Sequence, residues 1–230
     1  MNDKYKIGAV IVAAGSGLRF GGRKQFKSLK QKPLYLYSLE TFASHPLIAE
    51  IALVVPSDLK DEISKQSKEL SKNIKVVEGG ELRQDSVLAG VNTLNKECDI
   101  ICIHDAARPF VTKTIIDKAF SECKKYEGIV VAIPASDTVK EVSKNSNRVK
   151  RTIPRETVWL AQTPQAFRRE KLLQALDYAK TKQLVVTDEA TLLESLGSSV
   201  AVVEGDVNNF KITTKADWFN AELIMRSTND

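Results

Sequence analysis

A chain of 230 residues, 43 % hydrophobic and 27 % charged, can bury a full core and has the length of one domain rather than two. Its net charge of +5 and pI of about 9.0 come from lysines spread along helical stretches, without a basic block interleaved with aromatics, which argues against nucleic acid as a partner. The first apolar run is too short to span a membrane or serve as a leader, and Cys98, Cys102 and Cys123 lie in apolar patterns suited to reduced core thiols, so a cytoplasmic protein with no membrane contact is expected.

Residues 7–14, Ile-Gly-Ala-Val-Ile-Val-Ala-Ala, read as a strand buried on both faces. Gly15, Gly17, Gly21 and Gly22 then free the backbone for a loop whose amides can approach an anion. Arg19, Arg23 and Lys24 add three cations to it, a combination that points to a polyphosphate. A dinucleotide fingerprint fits less well. Gly15-x-Gly17 begins that motif, but position 20 is Phe, Gly21-Gly22 blocks a helix, and Glu40, near the spacing of a ribose-binding acid, falls in a helical pattern.

Further on, residues 33–43 read as a helix ended by His45-Pro46, and 51–55 as the second strand. Asp58 is expected to cap a lysine-rich helix running to about Ser71, and 74–77 to form a third strand closing on Glu78-Gly79-Gly80. A helix over 85–94 and a strand over 99–103 lead to His104-Asp105-Ala106-Ala107-Arg108-Pro109. Thr112 then caps a helix with Ile115, Ile116, Ala119, Phe120 and Cys123 along one stripe, and 128–133 is the fifth strand. The alternation predicts an α/β fold of three layers, a mostly parallel sheet with helices on both faces.

From Ser136 the pattern changes. Residues 138–142 and 149–153 are short, polar, strand-like runs that read as a hairpin. A lone hairpin this poor in apolar residues must rest on something, either a second subunit or its own domain. Residues 159–162 resume apolar chain, 172–178 are helical, Thr187 is placed as the cap of a helix to Leu196, 200–203 is a strand, and Thr214 caps a closing helix.

In such a sheet ligands bind beyond the carboxyl ends of the strands, where the loops 13–24, 79–86, 104–108 and 135–138 fall. Asp105, where a strand meets its loop, can hold Mg²⁺, which takes one or two carboxylates and completes its shell with water and phosphate oxygens. It could equally cap a helix or pair with Arg108. His45 and His104 lack zinc-site spacing, and His104 reads as a hydrogen-bonding residue at the strand end. There is no Gly-x-Ser-x-Gly elbow. Glycine, arginine, lysine and one aspartate suit phosphoryl or nucleotidyl transfer, where positioning and charge stabilisation dominate.

These residues stand in a familiar order. Ala13-Ala14-Gly15-x-Gly17-x-Arg19 with Lys24-Gln25-Phe26, Gly79-Gly80-x-x-Arg83-x-x-Ser86-Val87-x-x-Gly90, His104-Asp105-Ala106-Ala107-Arg108-Pro109, Asp137-Thr138, Gln162-Thr163-Pro164-Gln165, Thr187-Asp188-Glu189-Ala190 and Asn209-Phe210-Lys211-Ile212-Thr213 together resemble the 2-C-methyl-D-erythritol 4-phosphate cytidylyltransferase family along nearly the whole chain. The resemblance implies a Rossmann-like nucleotidyltransferase fold over residues 1–230, with 136–155 as a dimerisation arm. It implies that CTP and methylerythritol phosphate give the CDP-alcohol and pyrophosphate, with Mg²⁺ or another divalent cation, in a homodimer. By motif, Arg19, Lys24, Arg155 and Lys211 would be catalytic, and Asp105 would hold the metal. Ala13, Ala14, Gly15, Gly17, Gly80, Glu81, Ser86 and Ala106 would contact the nucleotide, and Arg108, Asp137, Thr138, Thr163 and Thr187 the alcohol phosphate. Two alternatives stay open, a ribitol 5-phosphate cytidylyltransferase and a catalytically silent CTP-binding regulator.

Overall fold

The computed structural model describes residues 5–68, 70 and 73–227. In chain order the strands are β1 (Ile7–Val12), the short pair β2 (Ser28–Leu29) and β3 (Lys32–Pro33), β4 (Ile48–Val55), β5 (Ile74–Glu78), β6 (Ile100–Asp105), β7 (Gly128–Pro134), β8 (Val139–Val142), β9 (Val149–Ile153), β10 (Trp159–Arg168) and β11 (Val200–Glu204). The helices are α1 (Leu34–Ala43), α2 (Lys60–Ser67), α3 (Arg83–Thr93), α4 (Lys113–Cys123), α5 (Arg169–Thr181), α6 (Glu189–Ser195) and α7 (Lys215–Ser227). Seven strands form one sheet in the order β11-β7-β10-β6-β1-β4-β5. All neighbours are parallel except at β10, which runs antiparallel to both β6 and β7.

Successive side chains of a strand point to opposite faces, and β1 supplies both cores. Ile7, Ala9 and Ile11 face α1, α2 and α4, where Tyr35, Leu39, Phe42, Ile63, Ile116 and Phe120 are buried. Val10 faces α3, α5 and α6 with Val87, Val91, Leu172, Leu176 and Leu193. The stripe expected on α4 is buried in full, and Thr112 Oγ1 accepts from Ile115 N at 3.3 Å as its cap. Helix α3 lies so close to the sheet that a Cβ on Gly90 would stand 2.5 Å from Val10 Cγ1. That approach draws the start of α3, with Arg83 and Ser86, toward the loop after β1.

Three local expectations are corrected. The apolar stretch at 159–162 is the start of the ten-residue strand β10. Pro164, which cannot donate to a ladder, conceals it in the sequence, and the pairing with β7 shifts register between Ala161 and Gln165 to pass it. Asp58 does not cap α2. A 3₁₀ turn, Ser57–Leu59, precedes that helix, and Asp58 accepts from Arg23 Nη1 at 2.6 and 2.8 Å; the expected helix end at Ser71 lies outside the described residues. The cap of α6 is Asp188 rather than Thr187, its Oδ1 accepting from Thr191 N at 3.2 Å. At α7, Thr214 and Asp217 cap each other reciprocally, as the position of Thr214 predicts.

The hairpin of β8 and β9 pairs only with itself among the described residues. Two of its cross-strand pairs are polar, Lys140 with Thr152 and Glu141 with Arg151, the latter joined from Arg151 Nε to Glu141 Oε2 at 2.6 Å, while Val142 and Val149, which pair with each other, are 48 % and 59 % exposed. A small third core joins Phe20, Leu29, Leu34, Ile212 and Ala221, with Trp218 and Met225 packed on it. It fastens the first loop and residue 212 to α7.

Candidate active site

Loops leaving the carboxyl ends of β1, β5 and β6 meet the segment 211–213 around a crevice of about 530 Å³. Ala14, Gly15, Gly17, Arg19, Lys24, Gly80, Glu81, Ser86, Asp105 and Lys211 line it, drawn together from four stretches of the sequence. Its first wall is a tight glycine turn in which the amides of Phe20, Gly21 and Gly22 all reach Gly17 O, at 2.9, 3.2 and 3.2 Å. Gly17 has φ +70°, and a Cβ there would lie 2.0 Å from Gly22 O, so the turn requires glycine. Gln25 Nε2 donates to Gly15 O at 3.1 Å and braces the wall from beneath. The facing wall is shaped by Ser86, whose Oγ accepts from Gly80 N at 3.1 Å and donates to Leu82 O at 3.2 Å.

At the floor the carboxylate of Asp105 has a cation on each oxygen. Arg83 Nε donates to Oδ1 at 3.3 Å and Lys211 Nζ to Oδ2 at 2.7 Å. Burial works to raise the Asp105 carboxyl, but Arg83 and Lys211 outweigh it and hold the group well below the ordinary carboxylate range. Of the two partners weighed for Asp105, a helix end or Arg108, neither holds its carboxylate. Burial, with the charges of Lys211 and Arg19, lowers Lys24 below an ordinary lysine. His104 lies behind the floor, bonded to Arg108 O at 3.2 Å and Thr163 Oγ1 at 3.1 Å. Burial lowers it to about 4, so the ring is neutral at pH 7, in keeping with a hydrogen-bonding role.

Other expected site residues lie elsewhere. Ala13 and Ala106 are buried beside the crevice. Thr163 is buried and its Oγ1 accepts from Asp105 N at 3.0 Å; Arg108, also buried, donates to Asn209 O and Ala161 O at 2.8 and 3.3 Å. Asp137, Thr138, Arg155 and Thr187 are exposed and outside the crevice lining, with Arg155 Nη1 on Ser136 O at 2.9 Å at the base of the hairpin. Arg23, counted among the loop's three cations, is held away by Asp58. The lining also includes Leu18, Gln25, Arg83 and Thr213, to which the sequence reading assigns no role. For Arg83 a signal existed, a cation three residues after Gly80 at the start of a helix.

A crevice at the carboxyl edge of a mostly parallel sheet, with a glycine turn on one side, cations around it and one ionised carboxylate at its floor, belongs to a nucleotidyltransferase. The family model for 2-C-methyl-D-erythritol 4-phosphate cytidylyltransferase (IspD) matches residues 7–227. An Aquifex aeolicus relative of that name is 44 % identical over 222 residues, covering 96 % of this chain and 99 % of its own, and one from Alkaliphilus oremlandii is 35 % identical over 100 % of this chain and 99 % of its own. Among solved structures, the 4-diphosphocytidyl-2C-methyl-D-erythritol synthase of Anaerococcus prevotii superposes with a TM-score of 0.88 at 30 % identity, covering 97 % of this chain and 100 % of that one. The chain belongs to the 2-C-methyl-D-erythritol 4-phosphate cytidylyltransferase family. It is an enzyme of isoprenoid biosynthesis that joins the cytidylyl group of CTP to methylerythritol phosphate and releases pyrophosphate. No helix among the described residues is long and apolar enough to cross a membrane.

Proposed function

We propose that the crevice holds CTP between the glycine turn and the loop 80–86, and that Arg19, Lys24 and Lys211 stabilise charge on the transferring phosphoryl group. The observation that carries this reading is the set of cations converging on Asp105, two of them bonded to its oxygens. The attacking group is a phosphate monoester, largely dianionic at neutral pH because its second pKa is about 6, so no general base is needed. A neutral, buried His104 agrees with that. Two anions must nevertheless be brought together, and the cations gathered at the crevice lower that repulsion.

Mg²⁺ is the proposed metal, with Asp105 as its protein ligand. Among the described residues no group of three or more His, Cys, Asp or Glu side chains could form a cage, but one ionised carboxylate facing a polyphosphate site fits a cation that binds mainly through phosphate oxygens and water. When bound it would neutralise charge on the triphosphate. Arg108 and Thr163, buried behind the floor, keep the end of β6 in place.

The alcohol phosphate would be gripped by Arg155, with Asp137, Thr138 and Thr187. Arg155 and Thr138 belong to the arm of residues 136–155, which we propose crosses to a second subunit in a homodimer. The exposed Val142 and Val149 on the hairpin, and Trp159 and Leu160 at 42 % and 53 % exposure at the start of β10, support this, since apolar side chains left in water are candidates for a cover. Arg suits the task because its planar fork grips two phosphate oxygens and stays charged. The cytoplasm is the proposed compartment, supported by three free, buried cysteines. Mixing Lys24→Ala subunits with Arg155→Ala subunits tests the assembly. Pyrophosphate release from CTP and methylerythritol phosphate should reappear on subunit exchange if the residues meet across chains, and no recovery would place both in one chain.

A further inference from the structure

Helix α6 begins with a carboxylate that has no exposure at all. Glu189 is 0 % exposed, and both its oxygens accept from one nitrogen, Arg83 Nη1, at 2.8 and 2.6 Å. The same guanidinium gives its Nε to Asp105 at 3.3 Å, and Asp105 takes Lys211 at 2.7 Å on its other oxygen. Four alternating charges thus run in a line from α6 to the crevice. Arg83 lines the crevice, and among the described residues its Nη2 has no hydrogen bond.

The ends of this line differ in freedom. Lys211 is about a third exposed on a flexible stem, 36 % by side chain. Arg83 is locked, because leaving Glu189 would strand a buried carboxylate without its counter-charge, a costly outcome. The lock is itself braced. Asp188, one residue before Glu189, accepts from Gln165 Nε2 of β10 at 2.9 Å. Gln84, one residue after Arg83, donates to Leu184 O at 2.9 Å and accepts from Val186 N at 3.3 Å. The start of α3 and the chain leading into α6 are therefore tied together at two points.

We infer that Glu189 is a positioning residue for cytidylyl transfer, acting through Arg83 to fix the orientation of the Asp105 carboxylate and to leave Lys211 as the cation that exchanges when phosphates arrive. Glu189 itself touches no substrate; Arg83 stands between it and the crevice. A bidentate hold on one nitrogen leaves the rest of the guanidinium facing Asp105 and the ligand, an arrangement a lysine could not reproduce with its single nitrogen.

The inference rests on assigning the crevice to CTP, so Lys24→Ala serves as a parallel control. Glu189→Gln keeps the size of the side chain and one acceptor while removing the charge. Its kcat, normalised to folded protein, is expected to fall roughly 10- to 100-fold, the usual effect of losing an orienting partner, with KM for CTP within about threefold. The double variant Glu189→Gln/Arg83→Gln should be no slower than Arg83→Gln alone, since Glu189 acts only through that arginine. Should Glu189→Gln not fold, Arg83→Lys keeps a cation on Glu189 but lacks a second nitrogen for Asp105, and it is expected to show the same loss of kcat. Wild-type kcat per folded enzyme in Glu189→Gln or in Arg83→Lys, or losses that multiply in the double variant, would overturn the inference while Lys24→Ala remains impaired. Wild-type kcat together with wild-type KM for CTP in Lys24→Ala would instead remove the assignment of the crevice.

Discussion

Replacing Lys24 with alanine should separate catalysis from binding and from folding in one variant. Lys24 is 7 % exposed and stands in a field of like charge, with burial and then Lys211 and Arg19 lowering it from the ordinary 10.5. A unit charge about 4 Å from another is worth about 4 kcal/mol at an effective dielectric constant near 20. Only the part that grows between ground and transition state enters kcat. For one preorganised donor that part is about 2.7–4 kcal/mol, a factor of roughly 10² to 10³. CTP affinity is shared with the backbone and side chains of both walls, so KM should change less than about tenfold. Arg19 is exposed and screened by water, and Arg19→Ala should lose less, on the order of tenfold. Stability should move the other way. A lysine whose folded pKa is depressed is bound more tightly to its proton in the unfolded chain, so it destabilises the fold below its folded pKa and the cost fades as pH rises through that value. Lys24→Ala should therefore unfold no earlier than wild type at pH 7. Initial rates of pyrophosphate release at saturating methylerythritol phosphate, with CTP varied, give kcat and KM, and calorimetry gives the midpoint. An unchanged kcat with a raised KM would refute the assigned role, leaving Lys24 an ordinary binding residue.

His104, with a folded pKa of about 4 against an ordinary 6.5, should take stability away as pH falls from 6.5 to 4. The gap amounts to roughly 3 kcal/mol. An imidazole resonance titrating near 6.5 in the folded protein would contradict this. Asp105 acts lower on the scale. Its depressed carboxyl contributes stability that is present above the ordinary 3.8 and is lost as pH falls below it. Asp105→Asn should flatten that acid limb in urea titrations and reduce transfer by at least about 10²-fold, because Lys211 loses its counter-charge and Arg83 keeps only Glu189; a steep limb in the variant would assign the loss to another group. Trp218→Ala should cost about 2 kcal/mol for a half-buried indole and lower kcat about tenfold by loosening Phe20. A normal kcat at a lowered melting temperature would make Trp218 structural only.

Much of this was legible because periodicity and chemistry coincide. The stripe on α4 lies in the 3.6-residue pattern of its sequence and is buried in full. The first loop announces itself by glycines that the backbone requires and cations that a plain connection has no use for. Hidden features were those in which one residue breaks the local pattern and tertiary contacts repair it. Pro164 disguises β10, and that strand is stable because it is paired on both sides. Asp58 looks like a cap but finds a stronger partner 35 residues away in Arg23. Glu189 occupies a buried position on a short helix, where a carboxylate reads as an anomaly until Arg83 is placed beside it.

The relation between the cations illustrates what spacing alone cannot express. Arg19 and Lys211 are separated by nearly the whole chain, yet each is followed by an apolar residue, Phe20 and Ile212, and both of these are buried in one small core. Phe20 rests on Trp218, ring centroids 5.5 Å apart, so α7 carries the turn that bears Arg19. Residues 213 and 214 are tied to the same helix through Asp217, which accepts from Thr213 N and Thr214 N at 2.8 and 2.7 Å. The two charges repel each other, and nothing in their own side chains holds them together without phosphate. The apolar neighbours do so instead, because separating Phe20 from Ile212 would expose both to water. Each cation thus stays at the rim of a packed core with its charge facing the crevice, which is the preorganisation that charge stabilisation of a phosphoryl transfer needs.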